Sequence, residues 1–187
     1  MAFRIAILAS GSGTNAQRLV EHFAGHPKAE VAFIGTDNPQ AGVIARAWEL
    51  GVALFLFDKA MLRDGRLQAE LTAQRIDLVV LAGFMQLIPA ELVRAFPQQI
   101  INIHPALLPK FGGKGMYGDR VHAAVLAAGE HESGITMHYV NEHYDEGEHL
   151  AQFRCPVLPG DTVASLAERI HAMEHAHYPM VVEGLVR

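Results

Sequence analysis

Cysteine is nearly absent from this sequence: Cys155 stands alone among 187 residues. An internal disulfide is excluded, and the usage fits a reducing, cytoplasmic setting. Lysine and arginine never cluster into a run, and the formal net charge is −5, so nucleic acid is not expected as a partner. No apolar run reaches the length of a membrane span. Residues 1–5 read as the start of a strand rather than an apolar signal region, so no membrane partner is expected either. Repeats, linkers and low-complexity segments are missing, and no feature fixes an oligomeric state. What is present is hydrophobic: half of the residues are apolar, enough for one domain over residues 1–187 with a substantial core.

Apolar runs alternate with helical patterns along the chain. Residues 3–9 are almost continuously apolar, as a strand buried on both faces requires. The loop Ser10-Gly11-Ser12-Gly13-Thr14-Asn15 follows and opens a helix marked by Leu19, Val20 and Phe23. Further strands are expected over residues 31–36, 52–56, 78–82, 100–103, 133–140 and 150–157. Helices are expected over 42–50, 59–74, 89–96 and 122–128, with a long C-terminal helix capped by Asp161 or Thr162. This order predicts an α/β fold, a doubly wound, mostly parallel sheet with helices on both faces.

Residues 100–103 read as a short buried strand that Pro105 ends. Asn102 and His104 are two residues apart, so an extended backbone turns both side chains the same way. They fall at the carboxyl end of the strand, where open α/β sheets hold ligands. An amide beside an imidazole there can bind one oxygen and move one proton. The plainer alternative is an incidental polar pair at a strand end.

The loop after the first strand offers backbone N–H groups and a helix N-terminus to an anion. Gly11-x-Gly13-x-x-Ala16 also matches the dinucleotide fingerprint, with Asp37 where a ribose-binding acid would stand. The hydroxyls of Ser10, Ser12 and Thr14 and the amide of Asn15 favour a terminal phosphate over a bridging pyrophosphate. A nicotinamide-dependent oxidoreductase and a non-catalytic phosphate-binding module are the rival readings. His171-x-x-Glu174-His175 matches an inverted zinc-protease pattern, but no third ligand is evident. Asp145 lies in the acidic stretch 142–147, either as a solvated carboxylate or as a partner that raises the pKa of His104.

Asn102-Ile103-His104-Pro105-Ala106-Leu107-Leu108-Pro109 resembles the signature of the folate-dependent formyltransferases. Leu81-Ala82-Gly83-Phe84-Met85 before it, and Asp145 with Gly147 after it, are similar too. The phosphate loop and the segment 173–179 resemble the branch of that family that acts in purine synthesis, not the branch acting on charged tRNA. The resemblance covers nearly the whole chain. It implies a Rossmann-like formyltransferase fold, with a phosphate-binding half over about residues 1–100 and a folate and catalytic half over about 80–187. It further implies small-molecule substrates: 10-formyltetrahydrofolate as co-substrate, and a glycinamide ribosyl phosphate whose amine receives the formyl group. By the resemblance, Asn102, His104 and Asp145 match the catalytic trio. Gly13, Thr14 and Asn15 match the phosphate loop, and Glu174 the acid that holds the ribose. Met85, Gln86, Leu87 and Ile88 match one folate-lining segment; Asn141, Glu142, His143 and Tyr144 match the other, with Asn102 and Asp145 also at the folate. The arginine that some members use after the third strand has no clear equivalent, and Lys59 is the candidate. The insertion over 112–118 is longer than in many members, and Asp145-Glu146-Gly147 stands where Asp-Gly-Gly is commoner.

Such chemistry needs no covalent nucleophile and no metal. A neutral amine attacking a formyl carbon makes an oxyanion, and a protonated His104 with the Asn102 amide can donate to it. One such donor lowers a barrier by about 3–4 kcal/mol. His104, held charged by Asp145, is then expected to shuttle the proton from the amine to the folate nitrogen.

Overall fold

The computed structural model describes residues 2–187; Met1, read above as part of the first strand, lies outside them. The elements run β1 (Phe3–Leu8), α1 (Thr14–Phe23), β2 (Ala29–Thr36), α2 (Val43–Leu50), β3 (Leu54–Leu56), α3 (Lys59–Arg63) and α4 (Arg66–Ala73). They continue with β4 (Leu78–Leu81), α5 (Ala90–Ala95), β5 (Ile100–His104), α6 (Asp119–Ala127), β6 (Glu132–Tyr139), β7 (His149–Pro156) and α7 (Val163–Glu183). The strands form one sheet in the order β3-β2-β1-β4-β5-β6-β7. All pairings from β3 through β5 are parallel, while β5–β6 and β6–β7 are antiparallel. From β1 the chain winds outward to β2 and β3, then returns to β4 on the other side. The crevice beyond the carboxyl ends of β1 and β4 is therefore the topological switch point, where such sheets bind ligands.

The continuous apolar runs are explained by burial on both faces. Along β1, Ile5 and Ile7 pack with Leu19, Val43, Val125 and Leu166 from α1, α2, α6 and α7. The alternate residues Ala6 and Leu8 pack with Leu62, Leu67 and Leu92 from α3, α4 and α5. Each fully buried leucine or isoleucine contributes about 1.5–3 kcal/mol of transfer free energy.

One element differs from the sequence expectation, and at another the structure selects one of two expected caps. The single helix expected over 59–74 is two helices. Asp58 caps α3 by accepting from the Met61 N–H, and Asp64 and Gly65 then break the chain direction, with Gly65 at φ +86° before α4. The apolar period survives the break because Leu62, Leu67 and Leu71 still reach one core. At α7, Thr162 is the cap and forms a capping box with Ser165. Asp161 instead receives Arg169 and the Leu158 N–H. The buried Tyr178 hydroxyl donates to the Leu81 carbonyl at 2.9 Å. This bond fixes α7 against the end of β4, and Glu174 lies one turn earlier on that helix.

Candidate active site

The loop after β1 is shaped by packing before it is shaped for any ligand. Gly13 sits at φ +78°, and a Cβ there would lie 2.4 Å from Val43 Cγ2 and 2.8 Å from Val43 Cα. Only glycine lets α2 come this close. No side chain among the described residues caps α1, so its first-turn N–H groups are available to an anion. Ser10 stitches three strand ends together: its hydroxyl donates to Asp37 Oδ1 at 2.6 Å and accepts from the Met85 N–H at 3.1 Å. Asp37 is thus occupied as a structural acceptor and lies off the cavity wall, which removes the ribose acid on which the dinucleotide reading rested. Asn15 donates to Glu174 Oε2 at 2.8 Å.

At the end of β5 the structure gathers Asn102, His104 and Asp145. His104 is 3% exposed. Its Nε2 donates to the Phe111 carbonyl at 2.8 Å, and its Nδ1 stands 3.5 Å from Asp145 Oδ2. That second distance is an ion-pair spacing without a hydrogen bond, so Nδ1 is the uncommitted ring nitrogen. Asp145 adopts φ +57°, which aspartate tolerates better than most residues. The Gly113 N–H donates to its Oδ2 at 2.9 Å, drawing the glycine-rich loop toward the pair.

His138 completes this group, and sequence reasoning missed it. It pairs directly with Asn102 across the antiparallel β5–β6 ladder, so the two side chains share a face. His138 Nδ1 donates to the Tyr139 carbonyl at 2.8 Å. Its Nε2 therefore accepts from Asn102 Nδ2 at 3.2 Å. The second Nδ2 hydrogen faces Asp145 Oδ1 at 3.4 Å. Both amide hydrogens are thereby engaged, and Oδ1 is the amide atom left over. The oxyanion-donor role expected for Asn102 is already taken up in the resting protein. An antiparallel partner for β5 was the only available signal for His138, and the sequence pattern did not reveal that pairing.

The charge states also differ from the expectation. Burial pushes the His104 imidazole below its ordinary 6.5, and neither Asp145 nor the Phe111 carbonyl reverses this. Burial pushes the Asp145 carboxyl up, but the imidazoles of His138 and His104 beside it and the Gly113 N–H leave it below its ordinary 3.8. An ionised Asp145 faces a predominantly neutral His104 near pH 7. Asp145 does not keep His104 charged at rest.

One cavity of about 550 Å³ joins the two ends. Gly13, Thr14, Asn15 and Glu174 line one part of it, and Asn102, His104 and Asp145 another. Met85, Gln86, Leu87 and Ile88 form a wall, and His143 and Tyr144 an opposing stretch. Asn141 and Glu142 are not brought to the wall. Asn141 Oδ1 accepts from the His143 N–H at 2.9 Å, and the exposed Glu142 pairs with Arg94. Lys59 is exposed at the start of α3 and away from the cavity; the lysine on the wall is Lys114. Thr136 and Gln152 support the turn after His104, a second feature the sequence did not signal. Thr136 Oγ1 donates to the Ala106 carbonyl at 2.7 Å and accepts from the Leu108 N–H at 3.1 Å. Gln152 donates to the Leu108 carbonyl at 2.9 Å.

Among the described residues no group of three or more His, Cys, Asp or Glu side chains is placed to hold a metal ion. Of the zinc-like pattern, His171 and Glu174 line the cavity, whereas His175 Nε2 is buried without a partner. No helix among the described residues is long and apolar enough to cross a membrane.

A family model described as formyl transferase matches residues 3–182. The chain is 42% identical, over 97% of its length, to the chloroplastic phosphoribosylglycinamide formyltransferase of Arabidopsis thaliana, and spans 65% of that protein. It spans 60% of the corresponding protein of Vigna unguiculata, at 43% identity over 97% of this chain. It is 36% identical to the phosphoribosylglycinamide formyltransferase of Bacillus subtilis, over 98% of this chain and 94% of that one. Among solved structures, glycinamide ribonucleotide transformylase 1 from Geobacillus kaustophilus superposes with a TM-score of 0.89 at 39% identity, covering 100% of both chains.

Proposed function

The chain belongs to the formyl transferase family, and from that membership we propose that it moves a formyl group from 10-formyltetrahydrofolate to the glycinamide amine of 5'-phosphoribosylglycinamide. The products are formylglycinamide ribonucleotide and tetrahydrofolate, a step of de novo purine biosynthesis. One observation carries the reading: a single cavity joins an uncapped helix N-terminus and a buried carboxylate to an amide, imidazole and carboxylate cluster. The relatives' names support the choice of substrates.

The phosphate docks on the N–H groups of Gly13, Thr14 and Asn15, and Glu174 accepts from the ribose hydroxyls. The wall from Met85 to Ile88 and the opposing His143 and Tyr144 flank the folate. The folate supplies an activated formyl carbon. Asn102 Oδ1 accepts from the amine and orients its lone pair. His104 Nδ1, neutral and uncommitted, takes the proton that the attacking amine sheds. The imidazolium so made is stabilised by Asp145 and the Phe111 carbonyl, and it donates first to the charged oxygen and then to the leaving nitrogen. A cytoplasmic location is part of the same reading, supported by the solitary Cys155.

The test is release of tetrahydrofolate by the purified chain. Release is expected only with both substrates present, and a chelator is expected to leave it unchanged. NAD(H) is expected not to raise the melting temperature, whereas a folate analogue with the ribosyl phosphate does. No release with both substrates, or stabilisation by NAD(H) alone, contradicts the proposal.

A further inference from the structure

His122 is a buried polar group on the cavity wall that the chemistry above leaves unused. It lies one turn into α6 and is 1% exposed, yet its ring lines the cavity. Its Nδ1 is buried and has no hydrogen-bond partner among the described residues. Buried polar atoms are almost always paired, and an exception calls for an explanation. Ser133 Oγ and His175 Nε2 are also unpartnered, but neither residue is on the wall of this cavity. Asn15 Oδ1 shares the condition and belongs to the phosphate end already described.

The position of His122 within the cavity is set by its neighbours. It shares the cavity wall with His104 and His171. His104 marks the reacting end, and His171 stands one turn before Glu174 on α7. His122 therefore flanks the stretch between amine and ribose. The acceptor has one amide there, with one carbonyl and one N–H. A neutral imidazole offers one donor and one acceptor on diverging nitrogens, so one ring nitrogen can pair with either group of that amide.

We propose that His122 contacts the substrate, hydrogen-bonding the amide of the glycinamide arm and selecting acceptors that carry it. This assignment rests on the reading of the acceptor given above. Burial biases the ring toward its neutral form, consistent with one donor and one acceptor. A site built to bond an amide discriminates strongly against ligands lacking it, because its own polar atoms are then left unpaired. Ribose 5-phosphate, which has the phosphate and ribose without the arm, should gain nothing from His122.

The experiment compares wild type with His122→Phe, which keeps the ring volume and removes both nitrogens. Calorimetric titration is done with phosphoribosylglycinamide and with ribose 5-phosphate, alongside tetrahydrofolate-release kinetics. We expect affinity for phosphoribosylglycinamide to fall about tenfold in His122→Phe. Ribose 5-phosphate affinity and the KM for the folate should not change. The melting temperature should not fall, since an unpartnered nitrogen contributes no bond to the free protein. His122→Asn, which keeps a donor and an acceptor, should recover part of the affinity. Equal affinity of wild type and both variants for phosphoribosylglycinamide overturns the assignment, as does an equal loss for both ligands. Failure of the wild type itself to release tetrahydrofolate overturns the underlying functional reading, and is seen before any variant is compared.

Discussion

Asn15 Nδ2 donates to Glu174 Oε2 at 2.8 Å across 159 positions of sequence. The bond fastens the first turn of α1 to the middle of α7, so the phosphate loop and the ribose-facing carboxylate are set as one unit. Glu174 is 6% exposed. Its burial holds the carboxyl above its ordinary 4.5, against the opposing pull of Asn15 and His171.

That direction gives the first prediction. A carboxyl with a raised folded pKa binds more protons in the native than in the unfolded state above pH 4.5. Its contribution is present in acid and is lost as pH rises toward the folded value. Glu174→Gln removes the buried charge, so it should melt higher than wild type at neutral pH. The gap should close toward pH 4.5. The KM for the acceptor should rise about tenfold as a charge-assisted bond to the ribose is weakened. Parallel melting curves for the two proteins across pH would contradict this.

The loop after β1 gives a second, paired prediction. A bulky residue at Gly13 looks from sequence like a probe of phosphate binding, but the contact with Val43 makes it a probe of packing. Gly13→Ala should cost about 1–3 kcal/mol of stability through backbone strain and overpacking. Gly11 has nothing within 4 Å of a built Cβ. Gly11→Val should therefore keep the melting temperature and weaken acceptor binding, with the folate KM unchanged. Denaturant midpoints and titration calorimetry separate the two effects. Equal destabilisation by both substitutions would refute the account of the loop.

Much of this architecture is legible in the sequence, for a physical reason. Strands buried on both faces must be continuously apolar, and helices between them must carry one apolar stripe. The two-residue period of a strand turns Asn102 and His104 to one side, and that relation needs no tertiary information. The features that escape are those made by contacts distant in sequence. The antiparallel pairing that sets His138 against Asn102 depends on which strand lies next to β5. The engagement of Asp37 by Ser10 depends on β1 and β2 being neighbours. Asn141 and Glu142 fall away from the cavity because an Asx turn and Arg94 claim them, which residue identity alone does not decide. The break at Gly65 is hidden because the apolar period runs through it.

Acid stability follows from two downward shifts, one of an imidazole and one of a carboxyl, that act in separate pH windows. Burial lowers His104 from 6.5, so between its folded value and 6.5 the unfolded chain binds more protons. Stability from this group is present above 6.5 and is lost as pH falls through that window. Asp145 is lowered from 3.8, so its contribution is present above 3.8 and is lost on further acidification. His104→Gln should flatten the decline that begins below pH 6.5 and leave the steeper loss below pH 3.8. Urea midpoints across pH measure this, and an unchanged profile in the variant would exclude the assignment.

Thr136 holds the turn that carries the chain away from His104. Thr136→Val keeps the shape but leaves the buried Leu108 N–H without its acceptor. The expected cost is about 1–3 kcal/mol, with a fall in turnover because the His104 ring loses its support. Full stability in denaturant titration would show that the turn does not depend on this hydroxyl.

The central claim is that His104 and Asp145, with Nδ1 and Oδ2 3.5 Å apart, act as one proton-transfer unit in formyl transfer. The direct measurement is tetrahydrofolate release by wild type, His104→Ala, Asp145→Asn and the double variant over a pH series. His104→Ala should lower turnover by about 10²–10⁴-fold. Asp145→Asn should lower it less, and the double variant should be close to His104→Ala alone, because members of one unit do not add. Removing the carboxylate lowers the His104 pKa further, so the acid limb of the Asp145→Asn profile should move to lower pH. Near-normal turnover in Asp145→Asn with an unmoved acid limb, or losses that multiply in the double variant, would contradict the claim.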